Sequence, residues 1–174
     1  MLAFLVSTIR LGMTFLLGST GETITEKSGH LNLGIPGIMY VGAISGVIGA
    51  FLYEQSAETL NPLLAILIPL GASILGSLIM GLIYCVLTVT LHANQNVTGL
   101  AMTTFGVGVM KFIMSKISTI TAAPGYLYAL GYFRFPFANS LSALKYFGVM
   151  LYLGLFIAIA AAYVLTKTRV GLHL

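Results

Sequence analysis

The sequence predicts an all-α fold, a polytopic transmembrane helical bundle of about five spans, and three observations carry that prediction. Hydrophobic residues make up 58% of the chain and charged ones 7%, with no Asp and no Trp, against a charged share of roughly 25% in soluble domains. The apolar residues run continuously over span-length stretches, whereas the strands of a membrane barrel alternate apolar and polar positions in segments of about ten. A polar, glycine-rich interruption, Gly21 to Gly37 (GETITEKSGHLNLGIPG), then separates two of those stretches. Backbone that leaves a helix in hydrocarbon forfeits its hydrogen bonds, so such a break survives only where protein or a water-filled cavity covers it. The broken-helix segment at 21–37 is therefore a candidate site, and it points to a transporter or channel more than to an anchor.

A span needs about 20 residues. The first candidate is Leu2 to Gly18, the second Ile35 to Tyr53, and the third Pro62 to Leu91, which is long enough to tilt or to project beyond the hydrocarbon. The fourth is Val97 to Met114; the Thr, Gly and Met of its first half, Thr98 to Gly108, also suit a re-entrant half-helix. The fifth, Leu144 to Leu165, is strongly apolar. Between them lie an acidic loop (Tyr53 to Asn61), a polar turn (His92 to Asn96) and a longer segment from Lys116 to Ser142. In that segment Ala122-Ala123-Pro124-Gly125 reads as a turn. The run Tyr126, Tyr128, Tyr132, Phe133, Phe135 and Phe137 suits the headgroup zone of membrane lipid.

Helices in lipid approach closely through small residues four apart. Gly42, Gly46 and Ala50 form one such stripe on the second span, and Ser73, Ser77 and Gly81 another on the third. The lone cysteine, Cys85, lies in an apolar run and reads as a packed core thiol. The net charge of +4 comes from so few charges that it gives no reason to expect a nucleic acid partner. Basic residues of such chains collect at membrane edges. They do not orient this one: Lys27, Lys167 and Arg169 fall on one side, and Lys116, Arg134 and Lys145 on the other.

Several groups could carry chemistry. Glu22, Glu26, Lys27 and His30 fall within one short stretch of the break, and a charge near a bilayer centre costs about 2.5 to 3.5 kcal/mol. They read equally as a solvated loop, paired Glu22 to Lys27 or Glu26 to His30, or as polar coupling groups on a pathway. Arg10, inside the first span, faces a polar interior or snorkels. Asn94, Gln95 and Asn96 offer donors and acceptors where the chain re-enters the membrane, which suits a neutral hydrogen-bonding solute. The plainer reading is a capping turn with Asn96 as the N-cap of the next helix. Gly29, Gly34 and Gly37 would permit an irregular backbone. The chain has no GxxxxGK[ST], CxxC, HExxH or GxSxG sequence, so no catalytic residue, metal site or cofactor is expected, and His30, His92 and His173 read as helix-end imidazoles.

The run GETITEKSGHLNLGIPGIMYVGA (Gly21 to Ala43) resembles the signature of ATP-binding-cassette importer permeases of the branched-chain amino acid, ribose and nucleoside group. NQNVTGLAM (Asn94 to Met102) stands where those permeases carry a second motif, and TKTRVGLHL (Thr166 to Leu174) resembles the stretch that leads into their cytoplasmic coupling region. The resemblance is nearest the nucleoside or simple-sugar branch. It departs at Pro36, where many relatives carry Glu, and at Leu174, beyond which the family pattern continues. It implies a single transmembrane permease domain over residues 1–174, the amino-terminal part of that pattern, in a bacterial inner membrane. Its implied partners are ATPase subunits, a second permease subunit and an external solute-binding lipoprotein. It also implies that Lys167 to Leu174 face the cytoplasm, with Asn32, Asn94, Gln95, Asn96 and Thr98 expected along the solute route. The alternatives are an ion-coupled secondary transporter or channel using Glu22, Glu26 and His30, and a membrane scaffold that moves no solute.

Overall fold

The structure is a computed structural model that describes residues 2–56, 61–120, 149–168 and 171. Among these, the apolar runs form α1 (Leu2–Lys27), α2 (Ile35–Ser56), α3 (Pro62–Cys85), a π turn continuing α3 (Val86–Thr90), α4 (Gln95–Ile120) and α5 (Val149–Lys167), with no strand. Each expected span has its helix. Three segments, Ile35–Ser56, Leu63–Thr90 and Gln95–Ile117, are long and apolar enough to cross a membrane, and Leu151–Lys167 is a shorter apolar helix. The continuous α4 leaves no place for a re-entrant half-helix at Thr98 to Gly108. The turn and aromatic run expected between Ala122 and Phe137 lie outside the described residues.

The break is shorter than the sequence suggests, because α1 continues through Gly21 to Lys27 and only the residues from Ser28 to Gly34 leave the helix. The reason lies in the hydroxyls. Thr20 Oγ1 donates to Leu16 O at 2.7 Å, Thr23 Oγ1 to Ser19 O at 2.8 Å, and Thr25 Oγ1 to Glu22 O at 2.8 Å. A Ser or Thr that bonds back to its own helix is polar in composition yet demands nothing of its surroundings. Glu22, Glu26 and Lys27 therefore stand on the last turns of a helix and not in a loop.

The helices fall into two compact units, Met1–Leu31 with Phe133–Leu174, and Asn32–Tyr132. In the second unit α2 and α3 run antiparallel along a seam of small residues. A Cβ on Gly42 would strike Ser77 Oγ, one on Gly46 would stand 3.3 Å from Ser73 Cβ, and one on Gly49 2.8 Å from Ala72 Cβ. From α3, Gly76 faces Ser45. The stripe read on α2 is the one used. On α3 the contact runs through Pro69, Ala72, Ser73, Gly76 and Ser77, while Gly81 has nothing within 4 Å of where its Cβ would be. Buried Ala50 and Ala65, with Tyr53, close one end of the seam, and Met80, Tyr84 and Met102 pack with Ile38 and Val41 toward the other. Cys85 is exposed rather than in a packed core, since a helix for lipid is as apolar on its outer face as on its inner one.

Two capping features fix the ends of α3. Asn61 Oδ1 accepts from Leu63 N–H at 3.1 Å and Pro62 occupies the first turn, while the Asn61 N–H donates to Tyr53 Oη at 3.0 Å. At the far end Leu91 N–H donates to Val86 O and Ala93 N–H to Leu87 O, both at 3.0 Å, and His92 takes φ +51°. In the first unit α1 and α5 run parallel. A Cβ on Gly154 would stand 2.9 Å from Met13 Cε, and farther along both helices Lys27 Nζ donates to Leu165 O at 3.1 Å.

Candidate functional site

The break begins where α1 is terminated by Gly29. With φ at +86°, Gly29 turns the chain so that its N–H donates to Glu26 O at 2.9 Å and the His30 N–H to Thr25 O at 3.1 Å. This is the Schellman pair of bonds, which satisfies helix-end carbonyls and favours glycine at the left-handed position. His30 is half-buried, its Nδ1 3.3 Å from Ser28 O. Glu22 is half-buried and Glu26 exposed one turn before, and their spacing puts both on one helix face. Lys27 extends to carbonyl oxygens, Leu165 O and Gly171 O at 3.1 and 2.9 Å.

Beyond Leu31 the chain enters the second unit and is gripped by α4. Asn32 is buried, and its Oδ1 accepts from the Gly34 N–H at 2.9 Å, a local turn of the kind short amide side chains make with their own backbone. Ile38 N–H donates to Gly34 O at 3.0 Å, which starts α2 with Pro36 in its first turn. Across the gap, Thr103 Oγ1 donates to Leu33 O at 2.9 Å. The contact between the two strands of chain is backbone on backbone. A Cβ on Gly99 would stand 2.8 Å from Gly34 N, one on Gly106 2.7 Å from Gly37 Cα, and one on Gly37 2.8 Å from Thr103 Cα and closer still to Met102 O.

The five residues expected along a solute route divide at this crossing. Asn32 and Thr98 are buried, 6% and 9% exposed. A Cβ on Gly34 would lie 3.0 Å from Asn32 Oδ1 and 3.4 Å from the Cα of Gly99, the neighbour of Thr98. The other three form the first turn of α4 and the residue before it. Asn94 is exposed, and its Oδ1 accepts from Asn96 N–H at 3.0 Å and Val97 N–H at 3.3 Å. Asn94, not Asn96, is thus the N-cap, because the helix starts at Gln95. Gln95 is half-buried and Asn96 exposed. Among the described residues no buried side-chain nitrogen or oxygen lacks a partner, so a solute reaching Asn32 would exchange hydrogen bonds for those it finds.

Gly99, Met102, Thr103 and Gly106 were not read from the sequence. The signal was there: small residues at spacings of four and three, Gly99, Thr103 and Gly106, lie on one helix face. A search for fours alone passes over it.

Residues 4–174 match the family described as branched-chain amino acid transport system / permease component. A nucleoside ABC transporter permease protein of Lactococcus lactis subsp. cremoris is 29% identical over 161 residues, covering 90% of this chain and 49% of that protein. A guanosine ABC transporter permease protein of Bacillus subtilis is 29% identical over 102 residues, 59% of this chain and 31% of its own length. A Haloferax volcanii protein named for glucose ABC transport as a permease is 32% identical over 109 residues, 63% of this chain and 30% of its own. The chain thus spans between 30% and 49% of the length of these curated relatives. No solved structure matches. With the family pattern running through it from residue 4 to residue 174 and with apolar helices of membrane length, this multi-pass membrane protein belongs to the permease component family of branched-chain amino acid transport systems.

Proposed function

We propose that the chain forms a transmembrane permease domain of an ATP-binding-cassette importer, which passes a nucleoside or related small polar solute by alternating access across a bacterial inner membrane. The observation that carries this reading is the family match over nearly the whole chain, joined to a helix break in which Asn32 is buried and the adjoining Gly34 packs against Gly99 and Met102 of α4, where Thr98 is also buried. The relatives named for guanosine, nucleosides and glucose support a hydroxyl-rich solute, with ring nitrogens added where it is a nucleoside. Amide and hydroxyl side chains suit such a solute because each offers a donor and an acceptor without charge. In this reading Asn32 and Thr98 meet the solute at the crossing, and Asn94, Gln95 and Asn96 line the approach at the start of α4. Work comes from ATPase subunits, a second permease subunit completes the route, and an external solute-binding lipoprotein delivers the solute.

The test is purification of the chain from its native operon background, followed by ATP hydrolysis and labelled nucleoside uptake in reconstituted vesicles. Recovery of an ATPase subunit together with ATP-dependent uptake is the expected result, with guanosine and glucose as competitors to rank the two solute classes. Uptake that follows a proton gradient without any ATPase would instead favour coupling through Glu22, Glu26 and His30. Insertion with neither an ATPase nor flux would overturn the proposal.

A further inference from the structure

The parallel course of α1 and α5 brings two helix carboxyl ends together, each carrying roughly half a negative charge on its unpaired carbonyls. The ammonium of Lys27, the last residue of α1, stands between them. It donates to Leu165 O at 3.1 Å and to Gly171 O at 2.9 Å. At the end of α5 the neighbouring carbonyl, Val164 O, is taken by the Thr168 N–H at 3.2 Å and by Thr168 Oγ1 at 2.6 Å, and the Leu165 carbonyl receives the ammonium. Gly171 N–H donates to Thr168 Oγ1 at 3.3 Å, and a Cβ on Gly171 would stand 2.5 Å from Leu165 Cα and against Val164 O. One cation thus ties the Leu165 carbonyl near the end of α5 to the Gly171 carbonyl beyond it. In the same turn of α1, the carbonyls of Thr25 and Glu26 hold the N–H groups of His30 and Gly29. Lys27 sits between the start of the break and the segment after α5.

We propose that Lys27 is a positioning residue that couples the Leu165 and Gly171 carbonyls to the start of the break, so that a displacement of Gly171 relative to Leu165 reaches Ser28 to His30 through its ammonium. That the break carries solute rests on the function proposed above; the coupling itself does not. Lys27 contacts carbonyls of its own chain, so it sets where the break begins and leaves solute recognition to the amides. An Arg at this position keeps the charge and offers five donors, enough to span both carbonyls, whereas a Met keeps the length and offers none.

The test compares the wild-type chain with Lys27→Met and Lys27→Arg, with copurifying subunits retained, by hydrogen exchange and by labelled nucleoside uptake. In Lys27→Met the amides of Thr168 and Gly171 and those of Gly29 and His30 should together exchange on the order of ten-fold faster, as expected for loss of hydrogen bonds to a charged group. Amides along the α2–α3 seam should keep their rates, and Lys27→Arg should restore protection at both ends. Uptake by Lys27→Met should lose maximal rate with its half-saturation concentration unchanged. Faster exchange after α5 alone, unchanged exchange at both ends, or a raised half-saturation concentration would each overturn the proposal. If the exchange pattern is as expected while the wild-type assembly moves no nucleoside, the proposed function fails and the coupling stands. Gly171→Ala perturbs the same contact with Leu165 from its other side and gives the same comparison should Lys27→Met fail to insert.

Discussion

The α2–α3 seam and the crossing of the break over α4 are both made of small residues, yet their glycines face different things. On the seam a Cβ added to Gly42 or Gly49 would meet side chains, Ser77 Oγ and Ala72 Cβ. At the crossing a Cβ added to Gly37 or Gly106 would meet backbone, the Met102 carbonyl and Thr103 Cα on one side and Gly37 Cα on the other. Side chains rotate or can be trimmed, whereas backbone in a packed helix moves only with its whole element. The seam is therefore adjustable where Ser77 faces Gly42, and the crossing is not.

The strongest challenge to that contrast is Gly37→Ala or Gly106→Ala. Each should cost about 3 kcal/mol, the upper part of the range for overpacking, read as a shift in the midpoint of detergent-induced unfolding, and neither should be rescued by trimming a side chain nearby. Gly42→Ala should cost less, about 1 to 2 kcal/mol, and should recover most of it when paired with Ser77→Ala, because only the Ser77 hydroxyl blocks the added methyl closely. Gly81→Ala, with open space around it, serves as the neutral control in the same titration. Failure of the Ser77→Ala rescue would mean that the seam is as unyielding as the crossing.

Two smaller substitutions sharpen the comparison at the ends of α4's contact. Asn94→Ala should cost about 1 kcal/mol as a lost N-cap, while Asn96→Ala should leave the unfolding midpoint nearly unmoved, the reverse of what the sequence suggests. Thr103→Val removes the hydroxyl that donates to Leu33 O. Its expected cost is about 0.6 kcal/mol, the average for hydrogen bonds between helices in a membrane. If Thr103→Val costs as much as Gly37→Ala, the hydroxyl rather than the backbone contact holds the break to α4.

The number, order and approximate extent of the helices were legible because lipid imposes long apolar runs, and those runs need no partner to be recognised. The end of α1 was misplaced for a physical reason: Thr20, Thr23 and Thr25 look like loop residues in composition but spend their hydroxyls on their own helix. Cys85 and Gly81 were assigned to contacts they do not make because apolar residues face both inward and outward in such a helix, so hydropathy carries no phase. At the candidate site, the amides and the glycine break stood out as polar or small residues in an apolar chain. Their grip on α4 did not, since a contact between two backbones leaves only the absence of side chains as its trace.

The π turn at Val86–Thr90 also affects how this chain is aligned with others. A π turn holds its hydrogen bonds one residue farther apart than an α turn does, as the Leu91 to Val86 bond illustrates. Gly76, Met80, Tyr84 and Thr88 are buried in four-residue steps, so the inward face of α3 carries into the π turn, and the register slips only for the residues that follow. Aligned against a relative whose helix is regular at this point, the two sequences need a gap of one position between Val86 and Thr90. Without that gap, substitutions between the π turn and the polar turn at His92 would be assigned to the wrong side of the helix.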